Sequence, residues 1–168
     1  MTKFQREDLA IPPWAVVVGT FGYVGFFPVA PGTVASTVAA AMYYLLPLLQ
    51  QNLILIAVSL PLMIAGIKAV DIILRTANEA DPAFVVCDEV LGQWVALMTP
   101  IYQGNLLFVL VSFVFFRLFD ITKPFPASHF QRKTGAFHIM MDDIVAGIYA
   151  NLAAHLCLWL FSISGLQT

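Results

Sequence analysis

The sequence predicts an all-α protein: a polytopic membrane helical bundle of about five transmembrane helices plus a short N-terminal re-entrant or tilted helix. Three observations predict it. Of the 168 residues, 60% are hydrophobic and 11% are charged, and the mean hydropathy is +0.86, far from the make-up of a soluble domain. A bilayer core about 30 Å thick needs roughly 20 apolar residues per helix, and runs of that order lie at 33–49, 53–70, 105–119 and 143–163, with a weaker one at 84–100. Threading five spans from an N-terminus placed inside puts all 8 Lys and Arg residues on the cytoplasmic side, the asymmetry that membrane insertion favours.

The elements follow in order. Lys3 and Arg6 are succeeded at once by Glu7, Asp8 and Pro12-Pro13, so a removable signal peptide is not expected. Residues 14–27 are apolar but short, with Gly19, Gly22 and Gly25 spaced like a close-packing stripe; this is the re-entrant or tilted element. The first span, 33–50, ends at the polar turn Gln50-Gln51-Asn52, and the second, 53–70, carries Pro61 as an expected kink. A polar loop is expected over 71–83, with Asp71, Arg75, Glu79, Asp81 and Pro82. The third span, 84–100, is interrupted by Asp88-Glu89; Gln103-Gly104-Asn105 turns the chain into the fourth, 106–119. A second polar loop over 120–142 leads to a last helix beginning near Asp142, with the C-terminus outside.

Length allows a single domain, 1–168, with no internal repeat. A net charge of −2 without a long basic cluster argues against nucleic acid as a partner. Cys87 and Cys157 sit in apolar runs and imply no disulfide framework.

The threading brings five carboxylates to one membrane face: Asp88 and Glu89 at the start of the third span, Asp120 at the end of the fourth, and Asp142 and Asp143 at the start of the fifth. Ionisable groups at membrane depth are costly and line functional sites. Neighbouring carboxylates repel unless a positive charge lies between them. An oxygen-only ligand set suits a hard cation such as Mg2+. An acidic pair also suits a helix N-terminus through the dipole, but that account does not reach Asp120, which sits at a C-terminus.

A phosphate-binding half accompanies the acidic one. In "DITKPFP" (120–126) Lys123 follows Asp120 by three residues, and Pro124 and Pro126 stiffen the chain behind it. Arg117, one turn before Asp120, can either pair with it or grip phosphate. In "PVAPGTVAST" (28–37) the prolines stop any earlier helix, Gly32 permits a tight turn, and Thr33 caps the next span. Helix N-termini bind anions, and Thr33, Ser36 and Thr37 add hydroxyls. The same stretch also reads as ordinary capping. Cys87 as a nucleophile is disfavoured because no phosphate-gripping arginine follows it. His129 and His138 lie in the 120–142 loop, within reach of a role in proton transfer. His155, Trp14, Trp94 and Trp159 read as packing or interfacial residues. Gly92, Ala146 and Gly147 are small enough to let the acid-bearing helices approach closely.

Taken in order, "FPVAPGTVAS", "CDEVLGQWVALM" and "RLFDITKPFP…MMDDIVAG" resemble the signatures of the phosphatidylglycerophosphatase A family over most of residues 19–150. The resemblance implies a Mg2+-dependent, multi-pass enzyme of the bacterial inner membrane. Its substrate would be the lipid phosphatidylglycerophosphate, hydrolysed at the cytoplasmic face to phosphatidylglycerol and phosphate. Carried over by motif, Asp88, Glu89, Asp120, Asp142 and Asp143 form the metal-binding acidic site with Lys123 beside it, and Gly32 and Thr33 belong to the Pro-Gly-Thr block. Ala35 departs from the family's usual glycine, and Ala136 and His138 replace parts of a glycine-rich stretch. The expected reaction is direct attack of water on phosphorus. Two other classes stay open: another lipid-phosphate phosphatase or a transferase with a similar acidic Mg2+ site, and a small cation transporter, which would line its path with carboxylates near the midplane.

Overall fold

A computed structural model describes residues 11–77, 82–123, 125 and 135–163. Among them there are six α-helices and no strand: α1 (Pro13–Gly19), α2 (Pro31–Leu45), α3 (Asn52–Ala77), α4 (Cys87–Leu97), α5 (Leu106–Thr122) and α6 (Ala136–Ile163). Short 3-10 turns at Val24–Phe26 and Pro47–Gln50 flank α2. Lys3, Arg6, Glu79, Asp81, Pro124, Pro126, His129, Arg132, Lys133 and both termini lie outside the described residues.

Several boundaries differ from the sequence expectation, each for a local reason. The polar loop expected at 71–83 begins only after Ala77. Asp71 and Arg75 pair across one turn at 2.9 Å, and Val70 and Ile73 continue the buried face set by Gly66 and Ala69. Pro61 sits inside this helix without ending it. The last helix begins at Ala136 instead of near Asp142, because Ala136 and Met140 already carry its buried face. Asp142 and Asp143 are therefore in its second turn, past the capping positions. At the other extreme, α2 stops at Leu45: Leu46 is extended (φ −109°, ψ 93°), as the residue before Pro47 must be.

The N-terminal apolar stretch is a seven-residue helix followed by a tight turn in which Phe21, Gly22 and Tyr23 all have positive φ. Of its three glycines, Gly19 packs against Ile73 and Gly25 against the Phe84 carbonyl, whereas Gly22 (φ +66°) has open space around it and serves the turn.

Helices α2 to α6 alternate in direction. At one end Thr99 N–H donates to Asn52 Oδ1 (3.1 Å) and the Thr99 hydroxyl bonds His155 Nε2 (3.0 Å). At the other lie the starts of α2, α4 and α6 and the end of α5. The closest crossing is between α4 and α6. A Cβ on Gly92 would meet the Asp143 carbonyl oxygen at 2.6 Å, and one on Gly147 would strike the Gly92 carbonyl. On another face of α4, Trp94 packs edge-on against Phe21 and donates from Nε1 to the Ala39 carbonyl of α2 (3.2 Å).

Two helices, Asn52–Ala77 and Ala136–Ile163, are long and apolar enough to cross a membrane. The outward surface is apolar well beyond those two. Leu53, Leu60 and Ile64 on α3, Leu107, Leu110 and Val114 on α5, and Leu152, Leu156 and Trp159 on α6 are all exposed, an apolar girdle far larger than soluble monomers present.

Candidate metal and phosphate site

Where α2, α4 and α6 begin and α5 ends, the helix ends enclose a cavity of about 240 Å³. Glu89 stands in the first turn of α4 beside Asp88, Asp120 in the last turn of α5, and Asp142-Asp143 in α6. Asp88 and Asp143 are buried, while Glu89 is partly exposed.

The five carboxylates separate into three kinds. Asp88, Glu89 and Asp143 each bring an oxygen within 4.8 Å of the other two. Asp88 Oδ1, Glu89 Oε2 and Asp143 Oδ2 are buried without a hydrogen-bond partner. Asp142, which does not line the cavity, accepts from Lys123 Nζ at its Oδ2 (2.5 Å) and keeps its Oδ1 buried without a hydrogen-bond partner. Asp120 pairs with Arg117 at 2.6 Å. Three clustered carboxylates with unsatisfied oxygens are strongly unfavourable unless a cation sits among them. Their donor set, oxygen only and with room for further oxygen ligands in the cavity, fits a hard divalent ion.

Lys123 caps α5 in the left-handed conformation (φ 41°), a conformation that costs a non-glycine residue energy. The turn points its ammonium back at the carboxylates, 3.8 Å from Asp143 Oδ1 and 3.9 Å from Asp120 Oδ1. Burial alone would lower its pKa. The charges of Asp143, Asp142 and Asp120 outweigh that and hold it above the ordinary lysine value.

On the α2 side, Ala30 (φ 48°) and Pro31 turn the chain so that Gly32 and Thr33 line the cavity. Gly32 leaves room for the Glu89 carboxylate: a Cβ there would meet Glu89 Oε1 and push it aside. Ser36 does not line the cavity. Its hydroxyl donates to the Gly32 carbonyl (2.9 Å) and accepts from Arg117 Nη1 (3.3 Å). Arg117 thus does the first of the two things open to it, pairing with Asp120, while still facing the cavity.

One wall was not anticipated. Pro82, Ala83 and Val85 line the cavity, held by the Val86 N–H bond to the Gly19 carbonyl (2.9 Å) and by Gly25 packed on the Phe84 carbonyl. The short N-terminal element therefore backs the site. Nothing chemical in these residues marks them; only their place just before Asp88 does. His138 lies in the first turn of α6 and does not line the cavity. Cys87 is fully buried with its sulfur 3.8 Å from Met140 Sδ, and His155 is held between Thr99 and the Asn151 carbonyl (2.8 Å).

A family model described as phosphatidylglycerophosphatase A matches residues 17–158. The chain belongs to that family. All residues lining the cavity fall within the matched stretch. Among curated relatives, a phosphatidylglycerophosphatase A of Escherichia coli is 34% identical over 137 residues, covering 81% of this chain and 78% of the relative. A protein of Bacteroides thetaiotaomicron, provisionally named phosphatidylinositol-3-phosphatase, is 34% identical over 149 residues, 86% of this chain and 93% of its own length. A phosphatidylglycerophosphatase A of Haemophilus influenzae is 41% identical over a shorter stretch of 71 residues, 42% of this chain and 43% of the relative. No solved structure matches the chain.

Proposed function

We propose that the chain hydrolyses phosphatidylglycerophosphate to phosphatidylglycerol and inorganic phosphate, with Mg2+ held by Asp88, Glu89 and Asp143. The observation that carries this reading is the cluster of three carboxylates with unpartnered oxygens, placed beside Lys123 and Arg117 in one cavity. When bound, Mg2+ neutralises phosphoryl charge and acidifies water. The protein's own groups bind, orient and stabilise. Gly32 and Thr33, at the N-terminal end of α2, receive phosphate oxygens. Lys123 meets the charge that grows on the phosphoryl group as water attacks and the bond to the glycerol oxygen breaks. Asp142 positions Lys123, Asp120 positions Arg117, and Ser36 braces Arg117 from behind. Asp142 and Asp120 thus act on the cations more directly than as metal ligands.

The same reading places the chain in the bacterial inner membrane as a multi-pass protein, with the site on the cytoplasmic face. Lys68, Arg75, Arg117 and Lys123, the described basic residues, all belong to the half of the bundle that holds the site, in keeping with basic residues staying inside. Five alternating helices, α2 to α6, would make the crossings. Of these α4, with 11 residues, rises only about 16 Å and relies on its flanking segments to reach the interfaces. A site at one end of the bundle favours an enzyme over a transporter, and a transferase would need a phosphate donor besides the lipid.

The Bacteroides relative's name favours a second substrate reading, since a phosphoinositide carries the same phosphate monoester. The deciding experiment is phosphate release by purified protein from phosphatidylglycerophosphate and from phosphatidylinositol 3-phosphate, each with Mg2+ and with EDTA. Faster Mg2+-dependent release from the first is expected. Faster release from the second would overturn the substrate, and release that ignores EDTA would overturn the metal.

A further inference from the structure

We infer that the apolar groove between α2 and α5 holds one acyl chain of the lipid substrate and sets the headgroup over the cavity; this rests on the phosphatase reading above. The groove encloses about 340 Å³. It exists because α2 offers alanines, Ala40 and Ala41, where α5 offers Leu106, Leu110 and Phe113. Small residues opposite large ones leave a channel open to the lipid side.

The groove continues from the site. Thr37, at its head, donates to the carbonyl of Thr33 (2.8 Å) one turn away, and Thr33 lines the phosphate cavity. On the facing helix, Phe113 of the groove lies one turn from Arg117 of the cavity. The helices run antiparallel, with Arg117 against Ser36 at one end and Leu106 and Leu45 sharing the groove at the other. From Thr37 to Leu45 the groove runs about 12 Å along α2 at about 1.5 Å per residue, most of the depth of one leaflet of a hydrocarbon core about 30 Å thick. A molecule with a phosphate monoester at one end and an acyl chain at the other fits both parts at once. The apolar cavity between α3 and α4, about 120 Å³ and lined by Leu60 and Met63, shares no residue with the phosphate cavity.

Moving a chain from bilayer to groove gains no hydrophobic free energy, because lipid tails are as apolar as leucine. The gain is orientation. A misplaced reacting group costs up to about 100-fold per ångström, so a tail held along α2 acts on the rate at the phosphorus.

The test uses the full chain in phosphatidylcholine vesicles with phosphatidylglycerophosphate carrying a diazirine near the end of one acyl chain. A phosphatidylcholine with the same diazirine serves as the control probe. Photolysis and peptide mapping should find the phosphate-bearing probe on Tyr44, Leu45, Leu106 and Leu110, enriched at least about fivefold over the control. Equal labelling by both probes, or labelling centred on Leu60 and Met63, overturns the inference. Labelling needs no turnover, so it decides the groove even if phosphate release fails and the enzyme reading falls. In parallel, Ala41→Phe and Leu110→Trp fill the groove from opposite walls. Each should lower kcat/KM for the long-chain lipid at least about tenfold more than for its deacylated headgroup, whereas Ile64→Phe on the exposed face of α3 changes neither. Equal losses on both substrates would refute a tail site.

Discussion

Gly32→Ala separates the site from the fold. A methyl group at this position would sit 2.9 Å from Glu89 Cδ and 3.4 Å from its Cγ, and closer still to Oε1. What it strikes is the far end of a flexible side chain, so Glu89 yields while the backbone stays. Its carboxylate must retreat by about 1 Å, which removes one corner of the Asp88–Glu89–Asp143 cluster; a displacement of that size costs about 100-fold in rate. Stability moves the other way or hardly at all, since alanine is favoured over glycine in a helix by up to about 1 kcal/mol. The assay is phosphate release alongside thermal unfolding in detergent. We expect activity near 1% of the parent, an unfolding midpoint unchanged or slightly raised, and a higher Mg2+ concentration for half-maximal rate. Turnover within about twofold of the parent, at an unchanged metal requirement, would show that Glu89 is not needed where it stands.

Other outcomes follow from the same geometry. EDTA should abolish phosphate release and Mg2+ restore it; full activity in a metal-free preparation would remove the cation from the reaction. Asp143→Asn should lose activity and keep its fold, with metal-free thermal stability equal or higher because repulsion with Asp88 and Glu89 is relieved; near-normal turnover would take Asp143 out of the mechanism. Lys123→Met should lower kcat by about 100-fold or more, and Asp142→Asn should reproduce part of that loss with little change in Mg2+ dependence, the mark of a residue that positions Lys123. A Mg2+ response shifted as far as for Glu89→Gln would instead make Asp142 a ligand. Gly92→Ala should destabilise by about 1–3 kcal/mol, as overpacking does, since its methyl would meet backbone at Asp143 and the Phe116 ring; an unchanged unfolding midpoint would mean the crossing is looser than described.

Much of this was legible in the sequence because carboxylates in an apolar chain announce themselves. Asp88, Glu89, Asp120, Asp142 and Asp143 come to one end of the bundle as hydropathy and charge asymmetry implied, and Gly92 and Gly147 make the close approach their size suggested. Three things were not legible. Periodicity places residues on helices but does not say which oxygen faces which cation, so the division of five acids into a cluster of three, a partner for Lys123 and a partner for Arg117 needed side-chain positions. Polarity also misled at helix ends: 71–77 and 136–141 read as loop by composition, but the pairing of Asp71 with Arg75 and the burial of Ala136 and Met140 carry the helices through. The wall formed by 82–85 had no signal at all, being apolar residues that act through where their backbone runs.

The contact between Gly92 and Gly147 works as a caliper. Glu89 stands one turn before Gly92 and Asp143 one turn before Gly147, so the distance between the backbone positions that carry these carboxylates is set by backbone touching backbone. Side chains can rotate to suit different ions; touching main chains cannot. The spacing of the acids is thus held by residues that carry none of them: one methyl at Gly147 would press on the Gly92 carbonyl and part the two helices without touching either carboxylate.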